Sequence, residues 1–174
     1  MRSRILALTV ALSFPAVLYA QSARTSAHAD IFNDRGVKIG TAQFSSSALG
    51  VRVAVRVSHL TAGEHGIHIH NVGKCEAPAF TSAGGHFNPT NAHHGASNTQ
   101  TPHPHLGDLP NLTSDDKSGA KANFVLSGVT LGDGPDSLFH EGGTSIVIHA
   151  KPDDLMSDPS GNSGDRIACG VIEK

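Results

Sequence analysis

The 174-residue chain lacks an excess of basic residues, a sustained helical periodicity, an internal repeat and, beyond its first 20 residues, any long apolar run. Its 13 Lys and Arg residues against 15 Asp and Glu residues give a formal net charge of −2. Nucleic-acid binding needs a basic patch that displaces phosphate counterions, so this balance argues against a nucleic-acid partner. A membrane-spanning helix needs about 20 consecutive apolar residues, so no integral membrane association is expected after residue 20.

The first 20 residues have the pattern of a secretory signal peptide. Arg2 and Arg4 precede a short, mostly apolar run that ends in the small residue Ala20. We predict cleavage after Ala20 and export to the periplasm or the extracellular space. Cleavage after Ala29 is the alternative, because Ala-His-Ala also has small residues at both key positions. The removed segment holds two arginines and no acidic residue, so the remaining domain, residues 21–174, carries a net charge of −4.

Cysteine is scarce, with two residues in the whole chain, Cys75 and Cys169. Paired thiols in an exported protein are usually oxidised, so a single disulfide between them is predicted. The alternative is that Cys75 joins nearby histidines as a metal ligand, which is less favoured because imidazoles are already abundant.

The apolar pattern is that of β-strands throughout. Valine alternates with arginine or alanine over residues 51–57, which predicts a strand with one solvent-exposed face. Asn-Asp-Arg-Gly at 33–36 predicts a hairpin turn. Two segments rich in Gly, Pro, Asn and Ser, 71–118 and 151–165, are predicted to be functional loops. The predicted strands are 29–32, 37–44, 48–57, 65–70, 121–126, 145–150 and 167–172.

Twelve histidines are present, and several are spaced as metal ligands. In Gly-Ile-His-Ile-His, the period of a strand places His68 and His70 on one face and the isoleucines on the other. His149 ends a second apolar strand, where the same period turns it away from the core. Copper and zinc both favour imidazole, so two adjacent metal sites are predicted. Further candidate ligands lie on the first loop segment: His86, His94, His105 and Asp108.

With these residues identified, the chain closely resembles the copper/zinc superoxide dismutases, in particular the secreted bacterial type. The resemblance covers about residues 30–174 and rests on five ordered blocks, 66–70, 82–89, 105–109, 149–155 and 161–170. It implies an all-β fold, an eight-stranded Greek-key β-barrel (an immunoglobulin-like sandwich) with two long functional loops. It also implies disproportionation of superoxide to O2 and H2O2 by copper cycling between Cu(II) and Cu(I), as antioxidant defence outside the cytoplasm.

The resemblance also assigns roles to individual residues. His86 would bridge both ions and take part in catalysis, Asp153 would hydrogen-bond to His68 and to His94, and Arg166 would lie beside the open copper position. Cys75 and Cys169 match the family's internal disulfide. The implied copper ligands are His68, His70, His86 and His149, and the implied zinc ligands are His86, His94, His105 and Asp108.

Some alternatives stay open from the sequence. His93 and His103 neighbour implied zinc ligands and could replace them, whereas three other histidines are interpreted as structural or surface residues: His59, His65 and His140. The segment 151–165 lacks the charged run that steers superoxide in eukaryotic members, which leaves Lys74 and Lys151 as candidates beside Arg166. The chain is expected to be a monomer or a homodimer.

Two other functions compete with dismutation. One is a copper- or zinc-binding protein without turnover, against which the complete ligand sets and Arg166 count. The other is a zinc hydrolase that uses a metal-bound water, which would need an open zinc position, whereas four ligands fill the implied one.

Overall fold

The computed structural model describes residues 26–102, 104–115, 117 and 119–174, so the predicted signal peptide and His103 lie outside the described residues. Within the described part, no helix is long and apolar enough to cross a membrane, and Thr81–Ala83 form a single 3-10 turn. The predicted all-β class is confirmed. The strands are β1 (Ser26–Asn33), β2 (Lys38–Ser47), β3 (Gly50–Ser58), β4 (Gly63–His65), β5 (Ile67–His70), β6 (Leu112–Ser114), β7 (Gly119–Leu126), β8 (Ser145–His149) and β9 (Arg166–Val171).

All nine strands belong to one antiparallel sheet, in the order β4-β6-β7-β3-β2-β1-β9-β8-β5. The end strands β4 and β5 are consecutive in the chain and separated only by Gly66. Counted as one bent strand, they give eight strands and nearly close the sheet into a barrel. The connections from β3 to β4 and from β7 to β8 pass over intervening strands, as Greek keys do. The predicted barrel is therefore confirmed.

Strand boundaries depart from the prediction where the apolar signal is weak. β6 lies inside the predicted loop 71–118, and β4 begins before the predicted strand at 65. Three residues are too few to show a period of two, and both short strands are held by pairing with each other. β1 begins at Ser26, earlier than predicted, because Ala27 and Ala29 bury small side chains that give little apolar signal.

The barrel interior holds the main apolar core. The valines of β3 are buried while Arg52 and Arg56 are exposed, which confirms the alternation predicted for this strand. At the predicted hairpin turn, the Asn33 carboxamide oxygen accepts hydrogen bonds from the backbone N–H groups of Arg35 and Val37, both at 3.0 Å. These side-chain bonds stabilise the turn between β1 and β2.

β5 and β8 are buried on both faces. Their isoleucines belong to the barrel core, and their alternate residues lie beneath two connecting segments. We call residues 71–111, between β5 and β6, the first long loop, and residues 150–165, between β8 and β9, the second long loop. Together these loops cover the outer face of β5 and β8, where the histidines lie.

Candidate metal centre

Pairing between β5 and β8 positions three of the histidines. His68 lies opposite Val147 and His70 lies opposite Ser145, while His149 follows at the end of β8. All three are at most 3% exposed. The prediction that they turn away from the isoleucine core is confirmed, although they face the long loops and not open solvent.

The first long loop adds two strand-like segments beside β5. Ile69 donates its backbone N–H to Gly107 and accepts one from Phe87, each at 2.8 Å. A side chain on Gly107 would overlap the carbonyl oxygen of Ile69, so only glycine allows this close approach. Isolated bridges place His86 beside His70 and Asp108 beside His68. The backbone of the loop therefore brings its own ligands to the strand face.

Four ring nitrogens converge without any hydrogen-bond partner: His68 Nδ1, His70 Nε2, His86 Nε2 and His149 Nε2. We call this set the four-histidine group. The second nitrogens of three of these rings are used, because His68 Nε2–H donates to Asp153 at 2.7 Å, His70 Nδ1–H to Gly84 O at 2.9 Å and His149 Nδ1–H to Gly164 O at 3.1 Å. In each of these three rings, the converging nitrogen then presents a lone pair, which suits a metal ion.

Burial keeps these imidazoles neutral. Desolvation lowers the pKa of His68 to about 3 and that of His149 to about 4, and it places the pKa of His70 well below its usual value. Neighbouring histidines add to the effect by repulsion. A buried nitrogen without a partner is costly, so four of them around one point fit a bound cation that prefers nitrogen, such as copper.

A second set surrounds one carboxylate oxygen. Asp108 Oδ1 lies 2.9 Å from His86 Nδ1, 3.1 Å from His94 Nδ1 and 3.2 Å from His105 Nδ1, and two of these nitrogens, on His86 and His105, are 3.4 Å apart. We call these four residues the Asp108 group. Four ligands at about 2.0–2.1 Å from a tetrahedral zinc ion lie roughly 3.3 Å from one another. Three ring nitrogens lie close to Asp108 Oδ1, but one carboxylate oxygen has only two lone pairs for hydrogen bonds. The arrangement therefore fits a zinc site better than it fits a set of ordinary hydrogen bonds.

The electrostatics of the Asp108 group also favour a cation. Burial alone lowers the pKa of His94, but its hydrogen bonds with Asp108 and Asp153 outweigh burial and raise that pKa to about 9. Burial raises the pKa of Asp108, yet the three surrounding histidines hold it far below its usual value. Positive charge at this point is therefore stabilised, whether a proton or a metal ion supplies it.

Two residues connect the groups. His86 contributes Nε2 to the four-histidine group and Nδ1 to the Asp108 group. Asp153, whose side chain is fully buried, contacts His68 Nε2 at 2.7 Å and His94 Nε2 at 3.0 Å, the two partners that the family resemblance implied. The Asn111 side chain holds the backbone of Asp153 through two hydrogen bonds of 2.8 and 2.9 Å. Such outer contacts fix the orientation and basicity of ligand rings.

A cavity of about 390 Å³ opens onto the four-histidine group. Among the described residues, Arg166 is the one Lys or Arg residue that lines it, and none of the carboxylates in this part of the chain does. The guanidinium donates to Phe80 O at 2.8 Å and to Gly84 O at 2.7 Å, which fixes its place at the mouth. Lys74 and Lys151 are exposed and do not line the cavity. An anion that enters would therefore meet the positive charge of Arg166.

Cys75 and Cys169 form a disulfide, as predicted. The bridge connects the first long loop to β9, and the alternative in which Cys75 is a metal ligand is excluded by it. Cys75 packs against a small cluster of Phe80, Ala83 and Val147 outside the barrel core. The disulfide thus anchors the stretch of loop whose carbonyl groups hold Arg166.

The other histidines that the structure describes do not join either group. His93 is partly exposed and contacts Asp158, and His59 is exposed. His65 is buried, with Nδ1 2.7 Å from His149 O and Nε2 3.0 Å from Thr61 O, so it supports the backbone beside the site. His140 stacks on Phe87 at 5.4 Å.

Contacts between the two long loops were not predicted from the sequence. The Asp158 carboxylate accepts the backbone N–H of His94 at 2.7 Å and lies 2.7 Å from His93 Nδ1. The Asn98 amide donates to His94 O at 2.9 Å and to Met156 O at 2.8 Å. Most of these partners are backbone groups, which leave no pattern in a sequence.

Comparison with known proteins agrees with this geometry. The model of the copper/zinc superoxide dismutase family matches residues 38–172. Superoxide dismutase [Cu-Zn] 1 of Aquifex aeolicus is 47% identical over 156 residues, which cover 88% of this chain and 90% of that protein. The superoxide dismutase [Cu-Zn] of Deinococcus radiodurans is 38% identical over 178 residues, which cover 97% of this chain and 93% of that protein.

Solved structures show the same architecture. A double mutant of a SOD-like protein from Bacillus subtilis superposes with a TM-score of 0.80 at 35% identity, covering 84% of this chain and 97% of that one. The Cu/Zn superoxide dismutase of Brucella abortus gives a TM-score of 0.67 at 27% identity, covering 86% of this chain and all of that one. Because the family model and several relatives span most of the sequence, this chain belongs to the copper/zinc superoxide dismutase family, whose enzymes bind copper and zinc.

Proposed function

We propose that this chain disproportionates superoxide with copper held by the four-histidine group and zinc held by the Asp108 group. The observation that carries this assignment is the set of four buried, unpartnered nitrogens beside the Asp108 group, with which it shares His86. A four-ligand zinc set leaves no position for a nucleophilic water, which argues against a zinc hydrolase.

When bound, copper supplies a one-electron couple that oxidises one superoxide to O2 and reduces a second, with two protons, to H2O2, while zinc supplies fixed positive charge. The chain's own residues do the rest. Neutral imidazoles of the four-histidine group present their lone pairs to one point, and Asp153 keeps the rings of His68 and His94 in place. His86 lines the cavity, and its Nε2 has no hydrogen-bond partner, so this nitrogen would bind copper or, when free of copper, hold a proton for the substrate.

Arg166 has the task of attracting the anionic substrate. The formal net charge of the chain is negative, so the long-range field repels superoxide and local positive potential must dominate at the mouth. The guanidinium is fixed by two carbonyl groups and keeps its charge throughout the physiological range.

Metal content and copper spectroscopy on the purified protein test this assignment. We expect one copper and one zinc per chain, a Cu(II) spectrum typical of nitrogen ligands, and dismutase activity that is lost when copper is removed and restored when it is added. Full copper loading without activity would instead indicate a metal-binding protein without turnover. Activity with zinc alone on an ester or peptide substrate would favour the hydrolase.

We also propose that the protein is exported to the periplasm or beyond and that cleavage follows Ala20. The disulfide and the bacterial relatives support export. Cleavage after Ala29 would remove half of β1, including the buried Ala27. Mass spectrometry of the exported protein tests the proposal, and a terminus at Asp30 would contradict it. The enzyme is proposed to be a monomer or a homodimer, which sedimentation equilibrium distinguishes.

A further inference from the structure

Asp158 joins the two long loops at a point outside both ligand groups. Its Oδ1 accepts the backbone N–H of His94 at 2.7 Å, and its Oδ2 lies 2.7 Å from His93 Nδ1. The next two residues, Pro159 and Ser160, line the cavity that opens onto the four-histidine group. One carboxylate therefore connects the rim of the cavity to the backbone of a residue in the Asp108 group.

Residues of both long loops hold His94 at three points, namely its backbone N–H, its backbone C=O and its Nε2. Asp158 holds its N–H, Asn98 holds its C=O, and Asp153 holds its Nε2. Asn98 also donates to Met156 O, and Ser97 donates its backbone N–H to Leu155 O at 2.9 Å. With these contacts in place, the direction of His94 Nδ1 depends on the second long loop.

We propose that Asp158 is a positioning residue that links zinc binding at the Asp108 group to the order of the cavity rim at residues 157–161. A zinc ion fixes His94, His94 fixes the Asp158 carboxylate through its N–H, and the carboxylate fixes the adjoining rim. The inference rests on the proposed zinc site. The contact with the His93 side chain is partly exposed and is expected to contribute little, so the coupling comes from the bond to the His94 backbone.

Four variants separate these contributions. Asp158→Ala removes both contacts, while Asp158→Asn keeps an oxygen that accepts the His94 N–H. His93→Ala removes only the side-chain contact. Asp165→Asn removes the same charge from the same loop, at an exposed side chain for which no hydrogen bond or ion pair is found among the described residues, and serves as the matched control.

The first measurement is zinc affinity by competition with a chelator. Loss of an outer contact to a ligand typically costs about 10-fold or more in metal affinity, so Asp158→Ala should bind zinc about 10-fold more weakly. Asp158→Asn and His93→Ala should stay close to the wild-type affinity, and Asp165→Asn should equal it. Wild-type zinc affinity in Asp158→Ala overturns the proposal.

The second measurement is hydrogen exchange of the copper-free protein with and without zinc. In the wild type, zinc should protect residues 105–108 and also the rim amides, including the Gly161 N–H that donates to Ser157 O. In Asp158→Ala, zinc should still protect 105–108 but no longer the rim, and Asp158→Asn should restore rim protection. Equal rim protection in Asp158→Ala overturns the coupling alone. If zinc protects neither segment in the wild type, the proposed zinc site itself is wrong.

Discussion

The disulfide between Cys75 and Cys169 should contribute a large share of the stability of the metal-free protein. The two residues are 94 positions apart, and the chain-entropy model gives about 4.7 kcal/mol for a closed loop of this length. For a domain of this size, 1 kcal/mol moves Tm by about 2–4 °C, so the double variant Cys75→Ser, Cys169→Ser should melt roughly 10–20 °C lower. Guanidinium chloride unfolding, followed by circular dichroism without metals, measures the free-energy difference.

The wild type treated with a reductant is the matched control, because it removes the bridge without changing the sequence. Both reduced wild type and double variant should lose a similar free energy of unfolding, while the oxidised wild type keeps it. A loss below about 1 kcal/mol in both would refute the loop-closure reasoning, since strain in the folded state would then have to offset nearly all of the entropy term.

Three further predictions follow from the ligand assignment and the cavity. His149→Ala should leave a folded protein that binds zinc and has little dismutase activity, and retained activity at normal copper content would contradict its role as a copper ligand. Asp108→Ala should weaken zinc binding more than copper binding, and it should also lower Tm, because an ion bound only by the folded state adds to stability. Unchanged zinc affinity would point to another fourth ligand. Arg166→Ala should lower kcat/KM without changing metal content, and Arg166→Glu should lower it further, by roughly 10-fold or more at low salt. If kcat/KM of the wild type does not depend on ionic strength and Arg166→Glu is equally fast, Arg166 is only structural.

For three of the proposed copper ligands, the sequence prediction rests on a periodic signal. His68, His70 and His149 alternate with isoleucine or valine on strands, so their common face follows from the strand period alone. His86, His94 and His105 lie in a loop, where no period exists, and their assignment depended on the family resemblance. Backbone bridges beside β5 bring His86 and Asp108 to the strand face, and the residue types do not reveal this pairing.

Apart from the contacts of Asp153, the sequence did not predict the hydrogen bonds that hold the proposed ligands in place. Asn98, Asn111 and Asp158 are polar residues in loops rich in Gly, Pro and Asn, where such residues are common for turn formation. Most of their partners are backbone groups, and a partner can lie far away in the sequence, as Asp153 does from Asn111. The same reason explains the missed strands β4 and β6, which depend on each other for pairing and not on any strong apolar run.

The two proposed ligand groups differ in the length of chain between their first and last residues, which folding must bring together. The Asp108 group spans residues 86–108, whereas the four-histidine group spans residues 68–149 and needs β5 paired with β8. Closing the longer span costs about 1 kcal/mol more in chain entropy. During refolding we therefore expect zinc to be captured early, within one short segment, and copper only after distant strands have met. Stopped-flow measurements with each metal, compared with the circular dichroism change, should show zinc uptake before completion of the sheet and copper uptake after it.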